Sequence, residues 1–318
     1  MRIMTFAVQA LPVGRTEIPG PELFWMGEWD RWFPLTFQVL LVRGPGVTAL
    51  VNTGAPADLG PLNEIWTSIL GPRALYARDD TETIQAQLAR VGVRPDEVTH
   101  VFATPFQLYT TAGIPLFPHA QVCLSKTGWI HFHTTHQHPH DNRWTSISPE
   151  VLVHLVTDGW DRVRLLEDED EVVPGLRTWW AGTHHRASIA VEVDSTAGTV
   201  VASDAFFYYE NVEEGRMLGI NENMYEGLAC YERTRRVADH IVPLYDPKVF
   251  DRYADGVIAG SDRCARSSST APTTSGSSSC RIPSPDRARC SSGSPPPASA
   301  APTCMATPAR TGGATPGR

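Results

Sequence analysis

Apolar and polar positions change period several times along this chain, and each change predicts an element. In "TFQVLLVRGPGVTALVNTG" two aliphatic, β-branched runs flank Gly44-Pro45-Gly46, the pattern of two strands in a hairpin. In "DDTETIQAQLARVGV" the period becomes helical: Ile84, Leu88 and Val91 recur at i, i+4 and i+7. Asp79, Asp80 or Thr81 can cap that helix, acids fill its first turn, and Gly92 ends it. "EVTHVFAT" returns to strand, and "PEVLVHLV" fits either strand or helix. The chain then turns β-rich. "DRVRLLEDEDEVVPGLRTWWAG" predicts two strands, with Pro174-Gly175 turning the second into a third, and "SIAVEVDSTAGTVVASDAFF" predicts a hairpin around Thr196-Ala197-Gly198. "CYERTRRVADHIVPLYDPKVFDRY" holds a helix and then a short strand, "HIVPL". Two β-rich halves, each followed by helical segments, predict an α+β fold: an αββα sandwich of two facing mixed sheets with helices outside.

Near residue 261 the patterning stops. From there to Arg318 there is no aromatic residue, Leu, Val, His, Lys or Glu, and Ser, Pro, Ala, Thr, Gly and Arg dominate. Such a segment buries too little apolar surface to offset its ordering entropy. Residues 1–260 are therefore expected to form the folded domain and 261–318 a disordered, low-complexity tail. The bias also resembles GC-rich DNA read in the wrong frame, so the tail is expected to be a frameshift product that displaces the natural C-terminus.

Composition narrows the partners. The 318 residues are 42% hydrophobic and 19% charged, with a formal charge of −8, which suits a globular protein and disfavours nucleic acid or an acidic membrane as partner. No apolar stretch approaches a membrane span, and the short run near the start is a poor secretory core. A cytoplasmic protein is expected. Cys123 and Cys230 lie in the main body, Cys264, Cys280, Cys290 and Cys304 in the tail, and none forms a CxxC pair, so reduced structural thiols are expected. No GxSxG elbow, Walker loop or GxGxxG is present.

The order of segments resembles the metallo-β-lactamase superfamily, and most of all its lactonase-like hydrolases. "TIQAQLARVGVRPDEVTHVFAT" followed by "AGIPLFPHAQVCLSKTGW" carries the likeness. "ALVNTGAPAD", "GTHHRASIAVEV", "TVVASDAFFYYENVEE" and "HIVPLYDPKVFDRY" extend it in the family's order over roughly residues 36 to 255. The resemblance implies hydrolysis of a small lactone or ester by metal-activated water, since a bound zinc lowers the pKa of its water to near neutrality.

The ligand positions depart from the family pattern. Where its Thr-His-x-His-x-Asp-His motif should stand, this chain has Thr104-Pro105-Phe106-Gln107-Leu108-Tyr109-Thr110. Tyr245 falls where the last histidine is expected, and Asn52 replaces a supporting aspartate. Only His184 and Asp204 match ligands. Two donors should bind zinc weakly, because catalytic zinc takes three protein ligands, so the expected cofactor is none or one weakly bound zinc. "HFHTTHQHPHDNRW" places His131, His133, His136, His138 and His140 together; this is either a relocated metal site or a polar surface loop.

The fold the resemblance implies should bring His184, Asp204, Tyr109 and Tyr245 to one pocket. A His–Asp pair can serve as base and orienter, and a buried tyrosine as acid or donor. The same pair could equally be a relict core contact. Gln107 and Thr110, with Trp25 and Trp29 of "ELFWMGEWDRWF", are candidate substrate contacts, although that aromatic stretch also suits a homodimer contact or plain packing. The acidic run Glu167–Glu171 reads as a solvated turn. Three functions remain open: a small-molecule hydrolase with an altered site, a non-catalytic binding relative (a pseudoenzyme), and a metal-free lyase or isomerase.

Overall fold

A computed structural model describes residues 5–134 and 143–260. Twelve strands are present among them: β1 (Ala7–Pro19), β2 (Trp32–Gly44), β3 (Val47–Val51), β4 (His100–Ala103), β5 (Gln121–Ser125), β6 (Val163–Leu166), β7 (Glu169–Val173), β8 (Leu176–Trp180), β9 (Ile189–Ser195), β10 (Gly198–Ser203), β11 (His240–Pro243) and β12 (Val257–Ala259). They form a seven-stranded sheet, β12-β1-β2-β3-β4-β5-β6, and a five-stranded sheet, β11-β10-β9-β8-β7. Both sheets are mixed. The first is antiparallel through β3 and parallel from β3 to β6. The second adds β11 parallel to β10 on an otherwise antiparallel meander.

The two predicted hairpins form as the turn chemistry requires. β2 and β3 close at the Gly44–Val47 pair, and β9 and β10 close at Ser195–Gly198. Alternation then decides which side chains meet. On β9 and β10, Val191, Val193, Val200 and Ala202 join the core shared with the first sheet, while Ala190 and Val201 face the other way, against Cys230 and Tyr231 of the helix Met224–Val237. Val39 to Val42 of β2 are buried at four successive positions, so both faces of that strand are covered. This is the expected αββα sandwich. Cys123 and Cys230 are buried free thiols, and burial pushes both pKa values up to about 12, which suits inert structural roles.

Several local expectations change. "PEVLVHLV" is the helix Pro149–Val156, because Ser148 Oγ accepts the Val151 N–H and proline sits in the first turn. The helix after Asp79 begins later than the sequence pattern places it. Asp79 and Glu82 form a capping box around one 3₁₀ turn, and Thr83 then caps Ile84–Arg90. The acidic run is only partly a turn. Glu167 and Asp168 carry the chain from one sheet to the other, but Glu169 to Glu171 belong to β7, an edge strand. Arg233 and Arg164 pair with Glu169 and Asp170 there, and a charged edge resists unwanted strand pairing. The long β1 has no clean alternation to announce it, because its register shifts between Pro12 and Gly14. No helix among the described residues is long and apolar enough to cross a membrane. The expectations for 261–318, and for His136, His138 and His140, fall outside the described residues.

Candidate functional site

Four strand ends converge. Thr104 follows β4, His184 lies in the loop after β8, Asp204 follows β10, and Tyr245 closely follows β11. Asp204 is fully buried. Its Oδ1 accepts the Thr104 hydroxyl, and its Oδ2 accepts Ser188 Oγ at 2.5 Å and His184 Nδ1 at 2.9 Å. Because a carboxylate only accepts, His184 Nδ1 is the donor of this bond, and in the neutral imidazole that makes Nε2 the acceptor. Backbone geometry sets the imidazole in place: Gly182 and Thr183 both take left-handed conformations, φ 53° and 66°. For a β-branched residue that is a strained choice of the kind found at functional sites.

The loop after β4 is held from β3. Asn52 sits at φ 71° with its Oδ1 accepting the Thr104 N–H at 2.8 Å. Thr53 Oγ1 donates to the Thr110 carbonyl at 2.7 Å and accepts the Gly113 N–H at 3.0 Å. Gly113 has to be glycine at this approach, since a Cβ would stand 2.6 Å from the Thr53 carbonyl oxygen. This lashing presents Gln107 and Tyr109 from one turn of helix, Leu108–Thr111.

Gln107, Tyr109, His184 and Tyr245 all line one narrow cleft, with a cavity volume of about 100 Å³. Its walls are aromatic and aliphatic. Phe37 lies 4.9 Å from Tyr109 and 5.2 Å from Tyr245 between ring centroids, and Phe207 bridges Tyr245 at 4.6 Å to His184 at 4.9 Å. Trp66, 5.3 Å from Tyr109, comes from the helix Gly60–Leu70. Burial pushes the pKa of both Tyr109 and Tyr245 up, and the nearby Asp204 charge adds to it. The Tyr245 hydroxyl is buried and makes no hydrogen bond among the described residues; Tyr109 is close enough to couple to it but lacks the geometry of a formed bond.

The other candidates lie elsewhere. The Thr110 hydroxyl is buried and donates to the Pro105 carbonyl at 2.5 Å. Trp25 and Trp29 are 54% and 65% exposed and are not among the residues lining the cleft. His131 stands beside His185, ring centroids 6.2 Å apart, and His133 packs on Trp129 at 4.5 Å. Sequence reasoning passed over Phe37, Trp66 and Phe207. The signal for Trp66 is "GPLNEIWTSIL", whose apolar stripe of Leu62, Ile65, Trp66, Ile69 and Leu70 buries only Leu62 fully, leaving the rest for the cleft.

The donor set does not fit a zinc ion. Pro105 has no side-chain donor, both oxygens of Asp204 already accept hydrogen bonds, and Tyr109 and Tyr245 are phenols made harder to ionise. No group of three or more His, Cys, Asp or Glu side chains among the described residues could hold a metal ion.

No protein-family profile and no curated protein matches the sequence. Solved structures do. An N-acyl homoserine lactone hydrolase, with N-hexanoyl-L-homoserine bound at its catalytic metal centre, matches at TM-score 0.66 and 16% identity, over 79% of this chain and 97% of that one. A dizinc quorum-quenching lactonase matches at TM-score 0.54 and 12% identity, over 74% of this chain and 84% of its own. A hydrolase of the β-lactamase superfamily matches at 0.55 and 13%, over 81% and 91%. The fold is therefore the metallo-β-lactamase fold of the lactonase-like hydrolases, as the segment order implies.

Proposed function

Starting from that fold, we propose that this chain is a hydrolase-like protein that takes a small lactone- or ester-type molecule into the aromatic cleft and acts without a metal centre. One observation carries the reading: His184, hydrogen-bonded to Asp204, lines the aromatic cleft with Nε2 unpartnered among the described residues. Nε2 would take a proton from a water whose oxygen adds to the carbonyl carbon, while Asp204 holds the ring and steadies the imidazolium. A donor on the cleft wall, Tyr109, Tyr245 or Gln107, would meet the carbonyl oxygen as it gains charge. Collapse of the adduct then breaks the carbon–alkoxide bond, and the alkoxide recovers the proton from Nε2.

The test is turnover of a panel of apolar lactones and esters by protein purified after zinc-replete expression, alongside its metal content. Expected are substoichiometric zinc, turnover insensitive to chelator, and a loss of about a hundredfold or more in His184→Ala. Stoichiometric zinc that disappears in His184→Ala would overturn the metal-free site. The second reading, a non-catalytic binding protein, is favoured by the full engagement of Asp204 by Thr104 and Ser188, a pattern that also suits a structural contact. Saturable binding without turnover, unaltered in His184→Ala, would select it.

A further inference from the structure

Resting on the cleft being the ligand site, we propose that it selects an uncharged carbonyl compound (a lactone, ester or ketone) and excludes the carboxylate that hydrolysis would release. Among the described residues, no Lys or Arg lines the cleft. Directly behind His184 stands Asp204, fully buried, whose other partners are the neutral hydroxyls of Thr104 and Ser188. A carboxylate entering here would lose its hydration against an apolar, aromatic wall with the Asp204 charge behind His184, and a desolvated, unpaired charge is strongly disfavoured.

A neutral acceptor has the opposite fate. The Tyr245 phenol, 1% exposed, has no hydrogen-bond partner among the described residues and lies beside the Tyr109 phenol and the Gln107 amide on the same wall. Burial keeps both phenols protonated, since it moves their pKa values up. A carbonyl oxygen has two lone pairs and no charge, so it can satisfy such donors without a counter-ion. In the lactone hydrolase matched above, the product sits at a metal centre; the donor set here cannot supply that positive charge, so a carboxylate has no equivalent anchor.

Three probes of matched shape decide it at neutral pH: methyl phenylacetate, phenylacetate and the non-hydrolysable ketone phenylacetone, titrated by calorimetry and by quenching of tryptophan fluorescence, to which Trp66 contributes. The ester and ketone are expected to bind, and phenylacetate about tenfold or more weakly. Tyr245→Phe or Tyr109→Phe should weaken ketone binding about fivefold or more. Tyr245→Phe should fold at least as well as the parent, because it removes a buried hydroxyl with no partner. Gln107→Arg, which adds a cation to the wall, should narrow or reverse the preference. Phenylacetate binding as tightly as phenylacetone, or ketone affinity unchanged in both tyrosine variants, would overturn the inference alone. If none of the three binds, the cleft is not the ligand site and both readings fall. If the ester binds unhydrolysed, the hydrolase reading falls and the selectivity stands.

Discussion

Asp204 accepts hydrogen bonds from Thr104, Ser188 and His184 with none of its surface exposed. Asp204→Ala leaves two buried hydroxyls and an imidazole N–H without their acceptor. It should cost on the order of 3 kcal/mol in urea unfolding, against about 1 kcal/mol for Ser188→Ala, which removes one donor and leaves the carboxylate two others. A loss in Asp204→Ala no larger than in Ser188→Ala would show that the cluster is not held as described. At this scale the sequence singled out His184, Asp204, Tyr109, Tyr245 and Gln107, because each stands at a position of a recognisable segment. It could not single out Thr104 or Ser188 as partners. Hydroxyl residues are common throughout the chain, and it takes a carboxylate brought from 100 and 16 residues away to make these two its partners.

β4 places the loop that presents Gln107 and Tyr109, and its first residue makes the strand sensitive to acid. His100 is half-buried, bonded to Thr99 Oγ1 at 2.8 Å, and its pKa is lowered, first by burial and then by the Arg164 charge. The unfolded chain therefore binds a proton at His100 below about pH 6.5 where the folded chain does not. Stability from this group is complete above that value and declines as pH falls from it towards the depressed folded pKa. His100→Gln should flatten this part of the profile, seen as a smaller gap between urea midpoints at about pH 5.5 and about pH 7.5 than in the parent. An unchanged gap would remove His100 from the account. Elements with a strong period were legible in the sequence: the hairpins, the helix after Thr83 and the strand leading to Thr104. β1 was not, since a bulge at Pro12–Gly14 breaks its alternation, and the start of β7 was masked by acidic residues that an edge tolerates.

Across the whole molecule the two sheets share one core, and Phe102 of β4 lies fully buried within it beside residues of both sheets. Phe102→Ala should cost about 3–5 kcal/mol and lower the urea midpoint without changing the slope. A cost below about 1 kcal/mol would mean that the core collapses to fill the space. By itself the sequence determined the strongly periodic elements, the order of the recognisable segments and the residue types at the expected ligand positions, because these depend on residue type, local period and spacing. Only the tertiary structure decided the site. Which phenols share a wall, which hydroxyls hold the carboxylate, and that no described residue of the wall is a Lys or Arg all follow from contacts between residues far apart in the chain. Such contacts are fixed by how two sheets pack, which no local pattern encodes.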